Sequence, residues 1–101
     1  MIYVDGLMKT PGAFWHGRMA SKMISDESRE DLEGFAAAIG IPSFWYRPWF
    51  FPHYVLSPKW RKKALGSGAI DCADLQAGLS RYAEAMRRFR LANPYMFPEG
   101  V

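Results

Sequence analysis

A single cysteine, Cys72, leaves this 101-residue chain without a disulfide framework or a zinc-type cysteine spacing. A reducing compartment is therefore the expected setting. No apolar run approaches the roughly 18 residues that a membrane-spanning helix needs. The stretch from Met1 to Lys9 carries Asp5 and lacks a basic leader, so no secretory signal is expected. There is no Walker loop, no GxGxxG, no GxSxG and no Cys–His nucleophile signature, and neither repeats nor low-complexity tracts occur. Charge of one sign is also scarce: 13 basic against 10 acidic residues leave a net +3. Such a balance suits an acidic ligand but falls short of the clustered stripe of a dedicated nucleic-acid binder.

Aromatic side chains, by contrast, are abundant. A domain this small buries about two-thirds of the surface its unfolded chain exposes. Four Trp, seven Phe and five Tyr are more than its core readily hides. Some of these rings are expected at an interface or in a pocket.

Local signals then divide the chain. Ile2-Tyr3-Val4 reads as a buried strand closed by the turn pair Asp5-Gly6, and Phe14-Trp15-His16 as a second strand. Ser28 is a good helix N-cap, with Asp31 placed for a capping box. Leu32, Phe35, Ala36 and Ile39 follow at helical spacing before Gly40 and Pro42 stop them. Pro48 and Pro52 make Phe44 to Tyr54 an irregular aromatic loop. Ser57-Pro58 opens a short second helix that ends at Gly66-Ser67-Gly68. Ala69-Ile70 is a brief strand, after which Asp71 and Asp74 can cap a third helix running to about Leu91. Its seam is Leu75, Leu79, Tyr82, Met86 and Phe89, followed by Pro94 and the tail Tyr95-Met96-Phe97.

The alternation predicts a small single α/β domain with a short, mostly parallel sheet, two packed helices and a longer C-terminal helix. Residues 1–72 form the core, and 73–101 add the helix and apolar tail to the same domain. The seam and tail suggest a homodimer through that helix.

The second helix start gathers Lys59, Arg61, Lys62 and Lys63 behind Ser57. Free N–H groups there already favour an anion, and cations oppose the helix dipole unless something offsets them. Arg61 has the planar fork for a bidentate phosphate contact. The ring-rich stretch before it offers Trp45, Trp49 and Tyr54 as stacking surfaces, with Arg47 for a phosphate. These groups also read as ordinary core rings and solvated surface lysines. His16 and His53 are the two histidines, and with Asp5 they could form an acid–base set; no metal-ligand spacing supports a metal site. Arg81, Arg87, Arg88 and Arg90 make the third helix basic, which reads first as a solvated face.

Several short motifs then stand in a suggestive order: Tyr3-Val4-Asp5, Trp15-His16, Leu32…Phe35-Ala36…Ile39-Gly40, Trp45, His53-Tyr54, Ser57…Lys59…Arg61…Ala64 and Gly68-Ala69. Over roughly residues 1–72 the chain resembles the bacterial and phage family catalogued as domain of unknown function 4031. The resemblance implies an architecture and a set of residues, and no activity. Members often carry an acidic residue where this chain has Gly6, and Asp where it has Val55. Metal-assisted chemistry through those carboxylates would lack two groups here.

The leading expectation is a cytoplasmic binding protein for a small anionic, nucleotide-like ligand, with no cofactor and no membrane partner. His16, Trp45, Arg47, Trp49, His53, Tyr54, Ser57, Lys59 and Arg61 would form its site. Family context extends this to a phage-type protein, in a bacterial cell or infected host, that sequesters a nucleotide immune signal. The alternatives are a phosphoesterase or nucleotide hydrolase using Asp5, His16 and His53, and a nucleic-acid or protein interaction module.

Overall fold

A computed structural model describes residues 1–9, 18–48 and 51–96. Ile2, Tyr3 and Val4 are buried one after another in strand β1 (Ile2–Asp5), as a strand covered on both faces requires. β2 (Met8–Lys9) follows, and then β3 (Met19–Ser25), the longest strand, with five of its seven residues buried. The chain continues through α1 (Arg29–Ile39), a 3-10 turn at Ser43–Trp45, β4 (Tyr46–Arg47) and β5 (His53–Leu56). It closes with α2 (Pro58–Gly66), β6 (Ile70–Cys72) and α3 (Ala77–Ala92).

The strands lie in the order β4-β5-β3-β1-β6, with β2 paired to β3. Among the described residues, only β1 and β6 run parallel, with Val4 beside Asp71; the pairs β1–β3, β2–β3, β3–β5 and β4–β5 are antiparallel. The sheet is mixed and mostly antiparallel, which corrects the expected mostly parallel one. The cause is β3, which inserts between β1 and β5 and opposes both. The parallel pair survives because α2 carries the chain over β3 and β1 from β5 to β6, the crossover that parallel strands need.

Alternation along the strands makes two cores. Ile2, Val4, Met23, Tyr54 and Leu56 pack against Leu32 and Ala36 of α1 and Ala64 of α2. Tyr3, Ile24 and Cys72 pack with Phe51 against Ala85 and Phe89 of α3. The result is three layers, with α1 and α2 on one face and α3 on the other.

The helix ends follow local chemistry, with two differences. Ser28 Oγ accepts from the Asp31 N–H at 3.0 Å, and Gly40 stops α1 at φ 88°. The Asp31 carboxylate does not complete a capping box; it accepts from the Ser25 hydroxyl at 2.7 Å. Asp71 does not cap α3, because it lies on β6. Asp74 does so alone, accepting from Gln76 N–H at 2.9 Å and Ala77 N–H at 2.7 Å. A Cβ on Gly78 would stand 2.5 Å from the Cys72 carbonyl oxygen, so α3 meets β6 at a distance only glycine allows. At its far end the buried Asn93 side chain donates to Phe89 O and Glu27 O, both at 2.8 Å.

Of the expected α3 seam, Tyr82, Met86 and Phe89 face the sheet, whereas Leu75 and Leu79 are 82% and 60% exposed. The strand expected at Phe14-Trp15-His16 and the tail residue Phe97 lie outside the described residues. Among the described residues, no helix is long and apolar enough to cross a membrane.

Candidate functional site

Three neighbouring strands place polar side chains on the α3 face, where alternation would otherwise put apolar ones. Asp5 continues the Tyr3 face of β1, Lys22 precedes Ile24 on β3, and His53 opens β5. The registers carry Asp5 beside Lys22 and His53 beside Ile24, so the three share one face with His53 two residues along it, and the Lys22 backbone N–H donates to Asp5 Oδ1 at 2.5 Å. Tyr82 and Met86 reach down from α3 one turn apart, and Phe51 closes the side before β5. Together they line a cavity of about 440 Å³ that is open to solvent on one side. Small-molecule sites commonly fall at about 300–1,000 Å³.

The electrostatics of this cavity are unusual for a surface. Burial raises the Asp5 carboxyl above the ordinary carboxylate range, opposed by the Lys22 N–H and by the charges of Lys22 and Arg61. Burial lowers the His53 imidazole, which Lys22 and Arg47 lower further. His53 Nδ1 lies 2.7 Å from the Phe51 carbonyl oxygen. A carbonyl only accepts, so Nδ1 carries the proton and Nε2 of the neutral ring carries the lone pair. The Tyr82 hydroxyl is pushed up by burial, then by Asp5 and Cys72, and stays a donor. It donates to Lys22 O at 3.4 Å. The wall thus offers a donor in Lys22, a second in Tyr82 when its hydroxyl turns from the long contact with Lys22 O, and acceptors in Asp5 and His53.

The other residues singled out by sequence lie elsewhere. Arg47 stands opposite His53 in register and donates to Phe44 O at 2.6 Å and Tyr46 O at 3.0 Å. Trp45 packs edge-on against Phe44 and Trp60, at 6.3 and 5.9 Å between centroids, over the α1/α2 core. Tyr54 is 3% exposed, 5.5 Å from the Tyr46 ring, and borders a different cavity of about 350 Å³ with Arg29 and Glu33. Ser57 caps α2, and Lys59 is exposed. Arg61 donates from Nε to Asp5 O at 2.8 Å and from Nη2 to the Asp71 carboxylate at 2.7 Å, tying α2 to β1 and β6. His16 and Trp49 lie outside the described residues.

Asp5 and His53 therefore share one cavity, while Trp45, Tyr54, Lys59 and Arg61 do not join them there. Lys63 lies over the Trp60 ring at 4.7 Å. Two of the α3 arginines are engaged in ion pairs and hydrogen bonds within the chain: Arg87 holds Glu84 at 2.6 Å, and Arg88 donates to the Tyr3 hydroxyl at 2.8 Å and to Asp26 at 3.2 Å. Lys22 and Tyr82 were not among the residues expected from sequence. Neither carries a mark of its own in the sequence; strand register and the docking of α3 bring them to the cavity. Among the described residues, no three His, Cys, Asp or Glu side chains gather as metal ligands.

A family model described as Protein of unknown function (DUF4031) matches residues 2–85. That span runs from β1 into α3 and includes Asp5, Lys22, His53 and Tyr82. No curated protein and no solved structure matches the chain.

Proposed function

Because the chain belongs to the DUF4031 family, whose description assigns no activity, we propose a function from its own site: it binds a small anionic, hydroxyl-bearing ligand between the sheet and α3. One observation carries this reading: Asp5, Lys22, His53 and Tyr82 converge from three strands and a helix on one cavity. An anionic oxygen would be met by the Lys22 ammonium and the Tyr82 hydroxyl. A hydroxyl or N–H would donate to His53 Nε2 and the Asp5 carboxylate. Ile24, Phe51 and Met86 give the rest of the ligand an apolar wall. The sugar and phosphate of a nucleotide have this combination of groups, as do sugar phosphates and hydroxy acids.

Isothermal titration of wild type and His53→Ala against those three classes tests the reading. At least one class should saturate the wild type, and losing a hydrogen bond to this half-buried ring should weaken it about tenfold. Silence from every class, or binding indifferent to both His53→Ala and Lys22→Ala, contradicts it.

A second reading, acid–base catalysis, has its own support: a lowered imidazole and a raised carboxyl face the same cavity. His53 Nε2 would take the proton of an attacking water, while Lys22 and Tyr82 hold the oxygen on which charge develops. A bound ligand recovered intact after long incubation decides for binding alone. Turnover that vanishes in His53→Ala decides for the enzyme.

A further inference from the structure

The cavity has a neighbour. Asp5 also borders a second one, of about 170 Å³, whose walls are Gly6, Leu7 and Met8 on one side and Cys72, Leu75 and Leu79 on the other. The two lie along the same helix: Tyr82 and Met86 line the first and Leu79 the second, and Leu79 stands three residues, about 4.5 Å of rise, before Tyr82. Gly78 brings the start of α3 hard against Cys72 and so fixes the width of this end of the groove. A polar chamber and an apolar one thus meet at a single carboxylate.

The apolar chamber is bordered by side chains that gain nothing from their exposure. Leu75 is 82% exposed, Leu79 60%, Met8 55% and Leu7 36%. Large apolar residues scattered singly need no explanation, but four around one depression form a patch of the kind that marks a binding surface. The same α3 face buries Ala85 and Phe89 completely further along, so the helix has no general deficit of cover. Leu91, at the far end of the helix, is also 67% exposed, but it borders neither cavity, whereas Leu79 stands beside the polar site.

We propose that the ligand of the polar cavity is an amphiphile, with an anionic, hydroxylated head among Asp5, Lys22, His53 and Tyr82 and an alkyl tail that passes Asp5 to lie between Leu7–Met8 and Leu75–Leu79. This inference rests on the binding reading above and adds the ligand's class. Asp5 lines both cavities, and that adjacency selects the occupant: a tail tethered to a bound head has one side chain to pass before it reaches the groove, without a separate association step. The half-buried carboxylate at the junction suits the hydroxyl of a 3-hydroxy acid better than an alkyl chain, which places the polar end on the His53 side.

The test is calorimetric titration with 3-hydroxyalkanoic acids from four to twelve carbons, each below its micellar concentration, on wild type and on Leu75→Glu/Leu79→Glu. Both leucines are exposed, so the double variant should fold, which circular dichroism verifies. Affinity in the wild type should rise roughly threefold per added methylene through the mid-length acids. In the double variant the rise should disappear while the four-carbon acid binds as before. Binding of the short acid without any gain from length overturns the amphiphile and leaves the polar site standing. No binding at any length removes both. Wild-type dimers that the double variant dissolves, seen by sedimentation, assign the patch to a second copy of the chain and overturn the tail.

Discussion

The two faces of the sheet come from the same strands, alternating residue by residue, yet they are finished differently. Under α1 and α2, Val4, Met23, Leu32 and Leu56 are fully buried, and the Ser25 hydroxyl is bonded to Asp31 at 2.7 Å. Under α3, the same alternation delivers Asp5, Lys22 and His53 to a cavity beside Tyr82. Holding a carboxylate and an imidazole away from water costs stability unless the groups are fully bonded. The first face is almost wholly what packing selects, its exception being the buried Ser21 hydroxyl, which has no hydrogen-bond partner among the described residues. The second keeps polar groups that packing does not need, and that is the physical reason to place the function there.

The largest effect that distinguishes the faces should come from Leu32→Ala. It empties a fully buried position under α1 and should cost about 3 kcal/mol in urea unfolding, while the affinity of the folded protein for its ligand holds. A change in affinity beyond about threefold would couple the faces and break the contrast.

Gly78→Ala comes next, at about 2 kcal/mol, because the added Cβ meets the Cys72 carbonyl and pushes α3 from β6. Here affinity should fall together with stability, since α3 roofs the cavity. Unfolding curves and titration of the same preparation check both.

Asp5→Asn should do the opposite of most core substitutions. The folded state raises the Asp5 carboxyl above its ordinary 3.8. Its favourable contribution is therefore present at low pH and lost as pH rises through the folded value. The amide should raise the melting temperature at pH 7, change little at pH 3, and weaken ligand binding. For His53 the sign reverses. Its folded pKa lies below 6.5, so the stability it contributes is complete above pH 6.5 and drains away as pH falls. His53→Ala should flatten that limb of a melting-temperature profile, and an unchanged slope would show that the ring is not held neutral.

The smallest effect belongs to Lys59→Ala. An exposed lysine with no role in the cavity should shift stability by under about 0.5 kcal/mol and leave affinity unchanged. A tenfold loss of binding would return the ligand to the start of α2.

What the sequence displayed follows the range of the forces involved. Both ends of α1 and the start of α2 were legible because Ser28, Gly40, Ser57 and Pro58 act within a few residues of themselves. β3 was not legible, because Ser21 and Ser25 interrupt its apolar pattern although both are buried. Without β3 between β1 and β5, a mostly parallel sheet was the natural expectation. In the site, Asp5 and His53 stood out as rare chemical groups. Lys22 and Tyr82 did not, since only strand register and the docking of α3 bring them to the same place. The rings of Trp45 and Tyr54 carry no sequence mark that separates stacking surface from core; the fold packs them under α1 and α2.

Methionine methyl resonances offer the most direct test, because Met86 borders the cavity under α3 and Met23 is fully buried on the opposite face. With 13C-methyl methionine and the tightest ligand from the titration panel, the Met86 resonance should move in step with saturation while Met23 stays fixed. Movement of Met23 with Met86 unmoved would place the ligand on the α1/α2 face and contradict the central claim.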